Sequence, residues 1–350
     1  MFYLSFLASL LLASVLLTRA MLAYATRRCL VDVPNERSSH DIPTPRGGGL
    51  SLPLVFLAGI MFFFCSRSFL TSHQFVALAG GAFLAAAVGF WDDHGGVRPA
   101  VRILVHFFAA AWVLFWLGGF PALDSGVTVS GVLQNIFWLV ALVWFLNAYN
   151  FMDGIDGIAG AEALFISGAA AALLFLGGAH EFALAALVLC AAAAGFLFWN
   201  LPPARIFMGD VGSGFLGLIL GAMAILTAGN GALNMWVWAI LFGSFMTDAT
   251  VTVFRRMLKG ARWHAAHRSH AYQHAVSRFN SHGKITMAVT VINVLWLLPW
   301  AVAAWLRPAM GALFAVIAYA PLILLAIRFE AGVDDNFKGE VRHDRQPRTS

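Results

Sequence analysis

The residues best suited to chemistry are crowded into Asn147 to Gly160, NAYNFMDGIDGIAG, where Asn147, Asn150, Asp153 and Asp156 recur at every third position behind an apolar run. On a helix or tight turn that spacing turns two amides and two carboxylates roughly one way. Ionisable groups at bilayer depth are costly and mark functional sites, and carboxylate and carbonyl oxygens are the ligands a hard cation such as Mg²⁺ takes. The plainer alternative is a loop whose Asn and Asp only cap the flanking helices. It accounts for one such residue better than for four.

Three other stretches carry candidate chemistry. Gly89 to Arg102, GFWDDHGGVRPAVR, sets Asp92 beside Asp93, with Arg98 and Arg102 beyond a Gly-Gly turn. Adjacent like charges raise each other's pKa, so one carboxylate is suited to accept a proton, or both to hold a cation; a solvated loop is the alternative. Asn200 to Gly214, NLPPARIFMGDVGSG, places Asp210 among glycines at the start of a helix whose N-terminus favours an anion. Phe207 in that stretch offers either a face for a base or an interfacial anchor. His264, His267, His270 and His274 are spaced 3, 3 and 4, with His282 beyond, and share a face if the segment is helical. Their neighbours are Arg and Lys rather than Cys or carboxylates, which favours phosphate recognition over zinc. Earlier in the chain, PTPRGGG offers Arg46 and a flexible Gly47–Gly49 run for close approach to a phosphate or sugar, or else an ordinary loop.

The elements that must position these groups are membrane helices. Charged residues make up 11% of the chain and hydrophobic ones 60%, against about a quarter charged in soluble domains; the mean hydropathy of +0.79 excludes a soluble enzyme. Apolar runs at 2–24, 49–65, 74–91, 101–118, 130–149, 158–177, 181–199, 213–227, 234–254, 284–305 and 309–328 predict an all-α polytopic protein with about eleven spans. The first run lacks a basic residue before Arg19, unlike a signal peptide, and is read as a helix. With the N-terminus periplasmic, nineteen Lys and Arg fall on one face and two, Arg67 and Arg307, on the other. The positive-inside rule then makes the C-terminus and the acid-bearing loops cytoplasmic. Residues 1–330 form a single membrane domain in this reading, and 331–350 a short, charged, disordered tail. Cys29, Cys65 and Cys190 show no ligand spacing. The net charge of +5 is dispersed in loops, so nucleic acid is not an expected partner.

Taken in order, PTPRGGG, Asp92-Asp93, NAYNFMDGIDGIAG, FMGDVGSG and the histidine loop resemble the polyprenyl-phosphate N-acetylhexosamine-1-phosphate transferases, glycosyltransferase family 4. That family includes phospho-MurNAc-pentapeptide translocase and undecaprenyl-phosphate GlcNAc-1-phosphate transferases. The resemblance implies transfer of a sugar phosphate from a UDP-N-acetylhexosamine to undecaprenyl phosphate at the cytoplasmic face of a bacterial inner membrane. Mg²⁺ is the implied cofactor, with Mn²⁺ as a substitute, and UMP the released product. Asp92 matches the acid that would activate the lipid phosphate, supported by Asp93; Asp153 and Asp156 complete the implied catalytic set. Asp210 and Asn150 match the metal-linked positions. Asn150, Asn200, Phe207, His267, His270, Arg46 and Arg102 match the nucleotide-sugar and phosphate region. The run HAAHRSHAYQHAV departs from that of the MurNAc-pentapeptide enzymes and looks like the subgroup that starts O-antigen or lipopolysaccharide chains, with FucNAc, QuiNAc or GlcNAc as the sugar. A homodimer is left open. The rival classes are a flippase or transporter of a lipid-linked or nucleotide sugar, which would more naturally hold its polar groups near the midplane, and a non-catalytic assembly scaffold.

Overall fold

The computed structural model describes residues 2–34, 42–66, 70–119, 131–260 and 268–333. Its helices in chain order are α1 (Phe2–Arg27), α2 (Ser51–Cys65), α3 (Ser72–Gly95), α4 (Pro99–Trp116), α5 (Gly131–Met152), α6 (Ile158–Leu176) and α7 (His180–Asn200). They continue with α8 (Asp210–Gly229), α9 (Met235–Leu241), α10 (Gly243–Leu258), α11 (Ala271–Phe279), α12 (His282–Ile292), α13 (Leu298–Leu306) and α14 (Gly311–Arg328). A two-stranded antiparallel pair, β1 (Val31–Asp32) with β2 (Thr44–Pro45), is the sole sheet among the described residues. The protein is thus an all-α, multi-pass membrane protein.

Ten described segments are long and apolar enough to cross a bilayer, and α9 with α10 makes an eleventh, bent by 73°. The run 234–254, expected as one straight helix, therefore breaks. The break falls at Phe242 and Gly243, where a Cβ on Gly243 would press on Leu297 of the neighbouring span. That span is irregular too: α12 and α13 are joined by a π-helical turn at Asn293–Leu297, ahead of Pro299. Inserted residues and proline are the usual causes of such bends.

At the centre lies α8, apolar on all sides, with 94% of its span buried; a helix hydrophobic all round belongs inside a bundle. Helices α3 and α5 pack on it, α5 closely enough that a Cβ on Gly217 would meet Leu146 and Tyr149. Alternating helix directions bring the C-terminal ends of α3, α5 and α7 and the N-terminal ends of α4, α6 and α8 to one end of the bundle. Every carboxylate singled out from sequence sits there. Residues 331–333, expected in a disordered tail, are docked: Arg255 Nη1 donates to Ala331 O, His274 Nε2 lies 3.1 Å from Val333 O, and Gly332 N donates to Ser269 O. The remainder of that stretch lies outside the described residues.

Candidate active site

Asp93 ends α3 pointing at the first turn of α8. Its Oδ1 accepts from Asp210 N at 3.0 Å and its Oδ2 from Val211 N at 3.1 Å. The helix N-terminus expected to attract a ligand anion is thus occupied by the protein's own carboxylate, which satisfies two orphan N–H groups and complements the dipole. Arg46 covers the junction from the other side, donating from Nη2 to Asp93 O (2.9 Å) and Asp92 O (3.4 Å), with Nε 3.9 Å from Asp93 Oδ1. A cation on the terminal carbonyls of α3 is favourable for the same electrostatic reason.

That junction holds Asp210 in place. Its Oδ2 accepts from Arg102 Nη1 at 3.2 Å, and its Oδ1 accepts from Asn150 Nδ2 at 2.6 Å. The same Arg102 nitrogen donates to Asp92 Oδ2 at 2.6 Å, while Asp92 Oδ1 accepts from Val97 N at 2.6 Å. Asn150 Nδ2 also lies 3.0 Å from Ser213 Oγ. One guanidinium therefore bridges the carboxylates of α3 and α8, and one amide from α5 completes the cluster.

Asp153 stands just past α5, in the loop before α6, and no described donor faces its carboxylate. Burial, then the charges of Asp210 and Asp93, push its pKa well above the ordinary 3.8. Three carboxylates with too few cations form a site that welcomes positive charge. Among the described residues no three Asp, Glu, His or Cys side chains converge into an all-protein metal cage. Mg²⁺ commonly uses only one or two carboxylates and completes its shell with water and substrate phosphates. The oxygens of Asp210, Asp153 and Asn150 are of that kind, and the donor set fits such an ion.

The every-third-residue set splits at this point. Asn147 and Asn150 are on α5, but Asp156 turns away from the cluster. Its Oδ2 accepts from Ala204 N at 3.0 Å, its Oδ1 lies 3.0 Å from His282 Nδ1, and its backbone O accepts from Thr286 Oγ1. Asn200, 3% exposed, accepts from Gly157 N and donates to Ile206 O. Both residues brace the 153–157 loop against the loop before α8, where the sequence had assigned Asp156 to catalysis and Asn200 to the nucleotide. Spacing alone missed this because the chain leaves helical geometry at Met152. The Gly47–Gly49 run also meets protein rather than ligand: Gly48 N donates to Phe207 O, Gly49 N to Met208 O, and Phe207 N to Pro45 O. The pairing leaves the Phe207 ring half-buried at the rim.

The histidine stripe is also redrawn. The helix begins at Ala271, so His270 is its cap rather than part of a face; His264 and His267 lie outside the described residues. His270 Nδ1 is 3.2 Å from Asp248 Oδ1, which also accepts from Ala271 N, while Oδ2 accepts from Tyr272 N. Burial and the Asp248 and Asp153 charges push the Tyr272 phenol well above 10.0. It keeps its proton and donates to Phe151 O at 3.1 Å, pinning α11 against the loop that carries Asp153. Asp248 is a site residue that the sequence reading did not single out; an acid inside the apolar run 234–254 was the signal that could have found it.

Gly89 is a second residue that sequence did not single out for packing. A Cβ there would overlap the backbone of Asp210 and Val211, so only glycine lets α3 approach α8 closely enough for Asp93 to cap it. Gly89→Ala is expected to lower stability by about 1–3 kcal/mol, as overpacking does, and to displace Asp210; a thermal-unfolding scan in detergent reads the first effect.

Residues 75–228 match the family model described as glycosyl transferase family 4. The chain is 27% identical over 295 residues to a Bacillus subtilis (strain 168) protein described as a probable undecaprenyl-phosphate N-acetylglucosaminyl 1-phosphate transferase, covering 82% of this chain and 80% of that one. It is 31% identical over 279 residues to a decaprenyl-phosphate N-acetylglucosaminephosphotransferase of Mycolicibacterium smegmatis (69% and 67% covered). It is also 31% identical over 230 residues to a phospho-N-acetylmuramoyl-pentapeptide-transferase of Prochlorococcus marinus (61% and 60% covered).

Proposed function

The chain belongs to glycosyl transferase family 4 and is a phospho-sugar transferase, and on that premise we propose that it moves an N-acetylhexosamine-1-phosphate from a UDP-sugar to undecaprenyl phosphate. The products are undecaprenyl-diphosphate-sugar and UMP. The observation that carries the reading is the bridge of Arg102 Nη1 between Asp92 and Asp210, with Asn150 on Asp210 and the Asp153 carboxylate unmatched beside them. It is an arrangement for binding phosphates together with a cation. The relatives' names support the same chemistry.

Phosphoryl transfer is mostly positioning and charge neutralisation. In this reading Asp210, Asn150 and Asp153 hold Mg²⁺, which when bound would neutralise charge on the pyrophosphate. Arg102 is placed to hold a phosphate oxygen while keeping Asp92 oriented. Asp92 accepts from Val97 N and Arg102, which fixes its carboxylate toward the acceptor phosphate, the role of a base or an aligning group. Asp93 and Arg46 position Asp210 rather than touch substrate. Phe207 offers its half-buried ring to the uracil, and His270 its loop to the donor sugar. The positive-inside count supports a cytoplasmic active site in a bacterial inner membrane. The form of the HRSHAYQ run supports an O-antigen-type pathway and its N-acetylated hexosamines.

The test is UMP release by detergent-purified protein given undecaprenyl phosphate, Mg²⁺ and a panel of UDP-N-acetylhexosamines. Release that requires both lipid and Mg²⁺, with one sugar preferred, is the expected result. Folded protein that binds a nucleotide sugar yet releases nothing from any of them would move the weight to a transporter.

A further inference from the structure

Between α10, α11, α12 and α14, at the end of the bundle that carries the carboxylates, lies a cavity of about 180 Å³ with an almost wholly apolar wall. Its inner side includes Met152 and Tyr272, behind the loop that carries Asp153. Asp248 also borders it, but the carboxylate oxygens accept from Ala271 N and Tyr272 N and one of them faces His270 Nδ1, so this charge is turned into the protein. The cavity has a mouth: Phe279 on α11, Ala288 on α12 and Leu325 on α14 line it and are exposed. Because α12 and α14 belong to membrane spans, that apolar mouth opens toward hydrocarbon.

One turn nearer the polar end the same edges become basic. Lys284 precedes Ala288 by four residues on α12, Arg328 follows Leu325 by three on α14, and Arg278 follows Ala275 by three on α11. The start of α12 is at the polar end, where His282 lies 3.0 Å from Asp156 Oδ1, and so is the end of α14, beyond which Ala331 O accepts from Arg255. The two helices therefore run in opposite directions, which puts the edge Ala288 and Lys284 and the edge Leu325 and Arg328 on one side of the cavity. All three basic residues are exposed, and among the described residues no ion pair joins any of them to an acid.

Apolar room that opens to hydrocarbon beneath a ring of cations complements an amphiphile with an anionic head, and basic pockets between membrane helices bind anionic lipid headgroups. The acceptor of the transfer reaction fits less well. Its phosphate has to reach Asp92 and Arg102, on α3 and α4, and neither helix borders the cavity. We propose that the cavity holds an acyl chain of an anionic phospholipid whose headgroup phosphate is bound by Lys284 and Arg328, with Arg278 beside them. The chain lies against Tyr272 and Met152 and so supports the pin between α11 and the Asp153 loop. The site does not depend on which reaction the carboxylates carry out.

The experiment uses the full chain in detergent and follows bound lipid by native mass spectrometry. The probes are dioleoyl-phosphatidylglycerol, dioleoyl-phosphatidylcholine, undecaprenyl phosphate and inorganic phosphate. Wild type is compared with K284Q/R328Q, with A288W, which plugs the mouth, and with R27Q/R28Q, which removes two exposed charges from the end of α1. Wild type should hold phosphatidylglycerol in preference to phosphatidylcholine. K284Q/R328Q should raise the Kd for phosphatidylglycerol about ten- to thirtyfold and leave that for phosphatidylcholine unchanged. A288W should weaken phosphatidylglycerol as well, and R27Q/R28Q should bind like wild type. Phosphatidylglycerol should also raise the melting temperature of wild type more than that of K284Q/R328Q. Equal binding of the two phospholipids, or an equal loss in R27Q/R28Q, would overturn the proposal in favour of general surface attraction. Displacement of the phospholipid by inorganic phosphate would overturn it as well, and one-for-one displacement by undecaprenyl phosphate would give the cavity to the acceptor instead. If the double variant or A288W does not fold, K284Q and R328Q singly decide, each with an expected loss of about fivefold.

Discussion

Asp210→Asn is expected to lower UMP release by about a thousandfold, the scale seen when a positioned electrostatic group is removed from an active site, without lowering the unfolding temperature. The two halves of that expectation come from the same geometry. Asp210 accepts from Arg102 and Asn150 while lying near Asp92 and Asp93, so its charge is held in place against repulsion. An asparagine keeps the shape and removes the repulsion. Its Oδ1 can still accept from one neighbour, and the backbone N–H that Asp93 caps is untouched. What disappears is the charge that would share a cation with the pyrophosphate. The check is a Mg²⁺ titration of UMP release beside a melting curve: turnover near wild type at any Mg²⁺ concentration would remove Asp210 from the metal role. A collapse of the melting temperature would show instead that it holds the fold.

The same residues show what the sequence could and could not tell. Eleven apolar runs were legible because a span must satisfy its backbone internally and shows its length in composition. The return of Asp92, Asp153 and Asp210 to one end followed from counting crossings. Contacts that depend on how helix ends meet were not legible. Asp93 reads like Asp92 in sequence, yet it caps α8 across 117 positions of chain, and no local pattern records that. Asp156 keeps the three-residue spacing of Asn147, Asn150 and Asp153, but the helix ends at Met152 and the spacing loses its geometric meaning. Gly89 was one glycine among 33; only the backbone of Asp210 pressed against it shows why it has no side chain.

Asp153 makes the sharpest use of electrostatics, because its expected effect on stability is opposite to its effect on activity. In the folded chain its pKa lies well above 3.8, through burial and the charges of Asp210 and Asp93. Between 3.8 and that raised value the folded state holds a proton that the unfolded state has released, so stability falls as pH rises through the window. At neutral pH with the cation chelated, wild type therefore bears the cost of keeping this carboxyl protonated or of burying its charge, a cost that Asp153→Asn lacks. The variant should melt higher than wild type in EDTA, and its melting temperature should depend less on pH above 4. Adding Mg²⁺ should raise the melting temperature of wild type, because a ligand that binds only the native state stabilises it. It should do little for the variant, which has lost a ligand. Activity should move the other way, falling about a hundredfold or more as preorganised charge is lost. Melting curves at several pH values with and without Mg²⁺, beside UMP release, separate the possibilities. If Asp153→Asn is less stable than wild type in EDTA, the carboxylate is paired in the folded protein and is not waiting for a cation.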